Sequence, residues 1–220
     1  MHDDFDDNVA ITEELILEKC PRYLARLREV YESTGNRVCF KRGSPKIYNG
    51  DIQTFRNRKA PMNTSVVLHN ITNEWFDMKF GIKAREECLF VTNSTLDSKE
   101  YGTPHYVFPI GGFSTIHSNS VKDLYLALNH KPVTKALQKH GIDTTKYTVN
   151  NNTFLQELYL SEPEAMESAI YELLEDNNYR KGKSAEALLS NNEVMLKTKR
   201  FIMVEINERF SEFMNDVIWY

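Results

Sequence analysis

Five short strand-like runs enclose a helical middle in this 220-residue chain, and that order constrains its fold more than any other feature. Three runs come first: Arg37 to Arg42, Glu87 to Thr92 and His105 to Ile110. Two more, Asn192 to Leu196 and Phe201 to Ile206, lie near the carboxyl end. Short runs of β-branched and aromatic residues bounded by turn-forming clusters read as strands. Strands segregated from helices, rather than alternating with them, make an α+β architecture. No internal repeat is present, and no stretch rich in Pro, Gly or Ser cuts the chain, so one domain over 1–220 is expected. Within it, 1–10 read as an acidic, flexible start and 121–177 as a helical insertion.

The helical segments carry their own punctuation. Thr12 to Cys20 has helical composition, and Pro21 suits the first position of a second helix. There Leu24, Leu27 and Tyr31 recur at helical spacing before Gly35 closes the element. Residues 46–65 read as a polar loop. A helix over Val66 to Phe80 sets Val67, Ile71, Trp75 and Met78 on one face, and a short one from Asn93 to Tyr101 ends at Gly102. Pro109 marks its strand as an edge or an end. Ser120 with Asp123 forms a capping box for a helix to about Asn129, and Pro132 to His140 forms another. Ser161, Pro163 and Glu164 open a helix whose apolar face is Met166, Ile170, Leu173 and Leu174. Lys197-Thr198-Lys199 reads as the turn of a hairpin between the last two strands, and a helix from Glu208 to Ile218 follows.

Composition removes several classes of function. The net charge of −4 exerts no global pull toward nucleic acid or an anionic surface. No apolar run approaches the roughly 20 residues that cross a bilayer, and Met1 to Asp7 is acidic, unlike a secretory signal. Cys20, Cys39 and Cys88 are odd in number and far apart, which argues against a disulfide framework and for a reducing cytoplasm. There is no Gly-rich phosphate loop, dinucleotide fingerprint, cysteine pair, His-Glu-x-x-His or serine elbow. The histidines at 2, 69, 105, 117, 130 and 140 have no metal-ligand spacing, so no metal is expected.

Three places depart from bland sequence. Arg42 ends a strand just before Gly43 and Ser44, where a guanidinium can clamp an anion beside closely approaching backbone; a solvent-facing arginine is the alternative. Thr92 and Ser94 alternate at the end of the apolar run Leu89 to Val91, so both hydroxyls fall on one side, as ligand contacts, as helix caps, or as both. Glu193 opens an apolar strand after a polar loop, a position depleted in acids; it marks a site or guards an edge strand. In addition, Lys41, Arg42, Lys46, Arg56, Arg58 and Lys59 face the single acid Asp51 within 41–59, forming a local anion-binding surface or a solvated loop.

In order, Phe40-Lys41-Arg42-Gly43, Phe90-Val91-Thr92-Asn93-Ser94 and Asn191-Asn192-Glu193-Val194-Met195-Leu196 resemble the signature of the ADP-ribosyltransferase fold, in its arginine-serine-glutamate branch. That signature is an arginine on the first strand, an aromatic-x-Ser/Thr-x-Ser motif ending a later strand, and a glutamate before a late apolar strand. Tyr101-Gly102 after the serine motif is similar as well, and Glu193 to Leu196 followed by Phe201 to Val204 resembles the family's closing hairpin. Gly81 to Arg85, Phe108 to Gly111 and the Asn-Asn-Glu-Val-Met run are also similar to small uncharacterised proteins of tailed bacteriophages. Thr92 and Asn93 replace the usual Ser-Thr. Asn191, two before the glutamate, replaces the second glutamate of arginine-modifying members and argues against arginine as acceptor.

The resemblance implies two small, mostly antiparallel sheets forming an NAD cleft, with N-terminal helices and the helical insertion. It implies a mono-ADP-ribosyltransferase, phage-encoded and working in the host cytoplasm, that transfers ADP-ribose from NAD to a host protein or nucleic acid without a metal or a membrane. Glu193, Arg42 and Ser94 would be catalytic. Arg42, Gly43, Thr92, Ser94 and Tyr101 would bind NAD, and Asn191 would face the acceptor. An NAD glycohydrolase, or a non-catalytic accessory protein that keeps the fold, are the alternatives.

Overall fold

The computed structural model describes residues 12–58, 64–145, 152–182 and 185–220; the acidic start at 1–10 and Lys59 lie outside them. In chain order the elements are α1 (12–19), α2 (Pro21–Thr34), β1 (Lys41–Ser44), β2 (Asn49–Thr54), α3 (Val66–Phe80), α4 (Ala84–Glu87), β3 (Leu89–Val91), α5 (Thr95–Lys99), β4 (Thr103–Ile110) and β5 (Ser114–His117). Then come α6 (Leu124–Ala127), α7 (His130–Lys139), α8 (Asn152–Ser161), α9 (Pro163–Asp176), β6 (Arg180–Gly182), α10 (Ala185–Leu189), β7 (Val194–Lys197), β8 (Arg200–Glu205) and α11 (Glu208–Phe213), which runs into a π-helical turn, Met214–Ile218.

Two small four-stranded sheets are present, in the orders β1-β4-β8-β2 and β3-β7-β5-β6, and the strand pairs β1/β4, β4/β8, β2/β8 and β3/β7 are all antiparallel. The mixed α and β composition with two small antiparallel sheets is the coarse architecture expected. The expected hairpin over Lys197-Thr198-Lys199 does not form: β7 pairs with β3 in one sheet, while β8 lies between β4 and β2 in the other. The physical reason is in the residues. The turn has no Gly or Asn to adopt the left-handed backbone of a two-residue hairpin, and both strands are apolar on both faces, so each needs its own sheet interior. Val194, Met195, Leu196, Phe201, Ile202, Met203 and Val204 are all buried.

The chain divides into two compact units, Met1–Arg56 with Leu89–Ile116 and Gly182–Tyr220, and Asn57–Cys88 with His117–Lys181. In the first, α2 starts at Pro21, ends at Gly35 in the left-handed conformation (φ 71°) and buries Tyr23, Leu24, Leu27 and Val30. Tyr23 is the hinge pin of this unit. It is fully buried, stacks on Phe40 with 5.6 Å between ring centroids, and meets Phe108 and Phe113 edge-on. Its hydroxyl accepts from Phe40 N at 2.8 Å and donates to Cys39 Sγ at 3.6 Å. The segment leading into β1 is held by this hydroxyl together with the bond that Phe40 O accepts from Val107 N at 2.8 Å. Cys20, Cys39 and Cys88 are free and buried. Burial pushes the Cys20 thiol up to about 12 and the Cys39 thiol up to about 11.

The second unit takes in more than the helical insertion expected over 121–177, because α3 and α4 belong to it. α3 is capped by Ser65, whose side chain accepts from Val67 N. Its buried face is Leu68, Ile71, Thr72, Trp75 and Phe76, whereas Met78, expected inside, is 63% exposed. Trp75 and Phe76 pack edge-on against Tyr179. α6 is capped by Asp123, not Ser120, and α7 by Asn129. α9 opens at Pro163 and buries Met166, Ala169, Ile170 and Leu174.

Removing the Tyr23 hydroxyl leaves the Phe40 amide buried without its acceptor, at a cost of about 1–3 kcal/mol. Tyr23→Phe is therefore expected to lower the urea midpoint by that equivalent while leaving the far-ultraviolet circular dichroism unchanged. A midpoint equal to the parent's overturns this account of β1.

Candidate functional site

The three singled-out spots all lie in the first unit, on neighbouring strands. β1 carries Arg42 and Gly43, β3 ends at Val91 just before Thr92, and β7 begins one residue after Glu193. An isolated antiparallel bridge joins Lys41 to Thr92, with Lys41 N donating to Thr92 O at 2.7 Å and Thr92 N donating to Lys41 O at 2.9 Å. On the other side of β3, Val91 pairs with Val194, so Thr92 and Glu193 are the next positions outward on those two chains. Adjacent strands are about 5 Å apart, which brings the Lys41, Thr92 and Glu193 backbones into one row roughly 10 Å long.

The turn after β3 is built from its own side chains. Thr92 Oγ1 accepts from Ser94 N at 3.1 Å, and Ser94 Oγ accepts from Asp97 N at 3.1 Å, capping α5. The helix-cap reading is thus realised at Ser94, whereas the Thr92 hydroxyl closes the turn before the helix. A hydroxyl that accepts one bond still has a proton to donate, so the cap does not exclude a ligand role for Ser94. Gly43 sits beneath α5: a Cβ there would come within 1.9 Å of Ser98 O and 2.9 Å of Tyr101 Cβ, so only glycine lets β1 pass under the helix. Tyr101 is 57% exposed beside it. Glu193 is half-buried and Asn191 exposed.

Strand alternation sorts these residues by face. Residues paired across antiparallel strands share a face, and successive residues alternate. Lys41 and Gly43 thus fall on the side of Thr92, and of Glu193 one step beyond the Val91–Val194 pair. Arg42 leaves β1 on the opposite side, that of its partner His105. Its guanidinium returns to the strand plane and donates from Nη1 to Phe90 O at 3.1 Å. The three motifs are adjacent, then, but Arg42 reaches them from the other face.

Lys41 was legible in the sequence only as part of a basic stretch. Its Nζ donates to Asn93 O at 2.6 Å and lies 6.0 Å from the Tyr106 ring centroid. Burial pulls this ammonium below the ordinary lysine value, and Cys39 only partly offsets the effect. Asn93 Oδ1 in turn accepts from Cys39 N at 3.1 Å. The basic stretch is therefore no uniform anion surface. Lys41 and Arg42 bond to carbonyls of the β3 end, while Lys46 and Arg56 are exposed. In the second unit Arg58 Nη2 donates to Cys88 O at 3.1 Å.

His105 is fully buried on the Arg42 face. Its Nδ1 lies 2.7 Å from Thr103 O and its Nε2 3.1 Å from Tyr48 N, a pattern that needs the neutral ring protonated at Nδ1. Burial lowers its proton affinity, against smaller opposing effects from the Thr103 carbonyl, Glu205 and the Arg42 main chain. Among the described residues no three His, Cys, Asp or Glu side chains form a group that could hold a metal ion, and no helix is long and apolar enough to cross a membrane.

Comparison with known proteins brings no family model, no curated protein and no solved structure into match with this chain. Its chemistry rests on the geometry above.

Two outcomes follow. Gly43→Ala forces α5 away from β1 and should destabilise the protein by about 1–3 kcal/mol, read from urea unfolding; an unchanged midpoint refutes the close approach. Because His105 binds its proton less readily folded than unfolded, stability is full above the ordinary value of 6.5 and declines as pH falls from there toward the folded value. His69, lowered mainly by burial and then by Arg85 and Arg58, adds the same sign. Urea midpoints should thus drop as pH falls below 6.5, and drop less in His105→Gln. A flat profile, or an equal drop in the variant, removes His105 as a cause.

Proposed function

We infer that this chain is a mono-ADP-ribosyltransferase that cleaves the nicotinamide–ribose bond of NAD and passes ADP-ribose to a macromolecular acceptor, a protein or a nucleic acid. The observation that carries the reading is the row of strand ends, in which Thr92 lies between β1, with its two cations, and Glu193. Residues from three distant stretches of sequence, Lys41 beside Arg42, Thr92 beside Ser94, and Glu193, meet in that row.

The chemistry asks for few groups. The glycosidic C–N bond breaks with both electrons leaving on nicotinamide, and the ribose carbon passes through an oxocarbenium-like state before an acceptor nucleophile adds and sheds its proton. Glu193 hydrogen-bonds the ribose 2′-hydroxyl and offsets the developing positive charge, an interaction stronger in the transition state than in the ground state. Thr92 lines the same face, and the Ser94 hydroxyl orients Glu193 or the nicotinamide ribose. Arg42 clamps the pyrophosphate. Its bond to Phe90 O fixes the plane of the guanidinium fork in advance, so less freedom is lost on binding. Approach from the other face suits this role, because phosphate and reacting carbon lie at different points along an extended dinucleotide. Gly43, expected to touch NAD, instead lets α5 and Tyr101 close onto β1, so its part is to seat them; Tyr101 offers an exposed ring at the rim, and Asn191 faces the acceptor.

Incubating the protein with labelled NAD and a bacterial lysate, followed by mass spectrometry, should yield a labelled acceptor. Glu193→Gln should cut transfer by about 10²–10³-fold with the fold intact. If the variant labels as well as the parent, Glu193 is not the catalytic group. Nicotinamide release without any labelled macromolecule selects the glycohydrolase reading instead.

A further inference from the structure

We propose that Lys41 is the positioning residue of this site, tying the Thr92–Ser94 turn to β1 and so setting where the hydroxyls stand relative to Glu193. The proposal rests on the transferase reading for its reaction, and on contacts of its own for the tie. Two side chains reach from the segment around β1 to the turn or receive from it. Lys41 Nζ donates to Asn93 O at 2.6 Å, and Asn93 Oδ1 accepts from Cys39 N at 3.1 Å. Between them runs the main-chain bridge of Lys41 and Thr92. Asn93 is therefore gripped through both its carbonyl and its side chain, and it sits directly between the two hydroxyl residues.

Charge and burial make the tie stiff. The Lys41 ammonium lies over the ring of Tyr106, 6.0 Å from its centroid, and Tyr106 is itself 7% exposed, so the ammonium is held between the ring and the Asn93 carbonyl. A charge-assisted bond to a carbonyl in such surroundings is stronger than its solvated counterpart. The carbonyl it holds follows Thr92, the strand-end residue level with Glu193, and precedes Ser94, which caps α5. Without this bond the turn keeps its backbone bridge and the Cys39–Asn93 bond but loses its charged tie to β1. Arg42 makes the parallel connection from the opposite face, to Phe90 O. The two consecutive cations of β1 thus grip β3 from both sides, Lys41 past the strand end and Arg42 before it.

The experiment compares the full-length parent with Lys41→Met, which keeps the apolar stem, and Lys41→Arg, which keeps the charge. Three quantities are read: nicotinamide release from NAD, NAD affinity by calorimetry, and amide hydrogen exchange over 93–98. Lys41→Met should lower kcat by about 10–100-fold, leave KM and NAD affinity within about threefold, and speed exchange at least about tenfold. Lys41→Arg should restore exchange and most of kcat. Parent-like exchange in Lys41→Met overturns the tie. Faster exchange with parent-like kcat overturns the positioning role, and a raised KM with unchanged kcat makes Lys41 a substrate contact instead. A parent that neither binds NAD nor releases nicotinamide sinks the transferase reading and the catalytic half of this proposal, while the exchange arm still decides whether Lys41 holds the turn. If Lys41→Met does not fold, Lys41→Leu, which also lacks the donor, takes its place in every comparison.

Discussion

Lys41 and Thr92 form a rung of two main-chain hydrogen bonds between β1 and the end of β3, strands that belong to different sheets. Everything at the candidate site depends on that short contact. A long ladder would fuse the sheets and leave no room for a ligand between strand ends, whereas no ladder at all would let the motifs drift apart. A brief bridge keeps them in register while leaving the flanking residues to do other work. Its neighbours show how the arrangement is maintained: Tyr23 fixes the chain just before β1 through the Phe40 amide, and Gly43 lets α5 close down just after the bridge.

The charges around the bridge follow from the same geometry. Strand ends leave carbonyls without ladder partners, and cations on an adjacent strand are the natural groups to satisfy them. Lys41 and Arg42 do so at Asn93 and Phe90. Such cations are held in place before any ligand arrives, which is the condition for electrostatic stabilisation without reorganisation. On the other face, the His105 ring bridges Thr103 and Tyr48 as a neutral group and adds no charge next to Arg42.

How much of this was readable in advance varied with the physics of each element. Helices with explicit signals were legible nearly to the residue: Pro21 and Gly35 bound α2, and α3 spans Val66 to Phe80 as its periodicity implied. β2 was invisible because it is an edge strand with a register shift between Asn49 and Ile52 and largely exposed residues, so it carries the polar sequence of a loop. The false hairpin at 197–199 arose because adjacency in sequence says nothing about which sheet an apolar strand will join. At the site, the motifs themselves were legible, but the row of Thr92 and Glu193 comes from the pairing of β3 with β7, which the expected hairpin of β7 with β8 had hidden. The side on which Arg42 leaves β1, and the part taken by Lys41, depend on which residue meets Thr92, a register that only the pairing itself reveals.

The three thiols have a practical bearing. All are buried, and those of Cys20 and Cys39 ionise only at about 12 and about 11. Alkylating reagents attack the thiolate and need access to it, so in the native molecule these cysteines are silent. Label appearing on Cys39 therefore times the opening of the core beneath β1, and label on Cys88 times that of the other unit. The chain carries a built-in clock for local unfolding in each half, with no probe to be engineered.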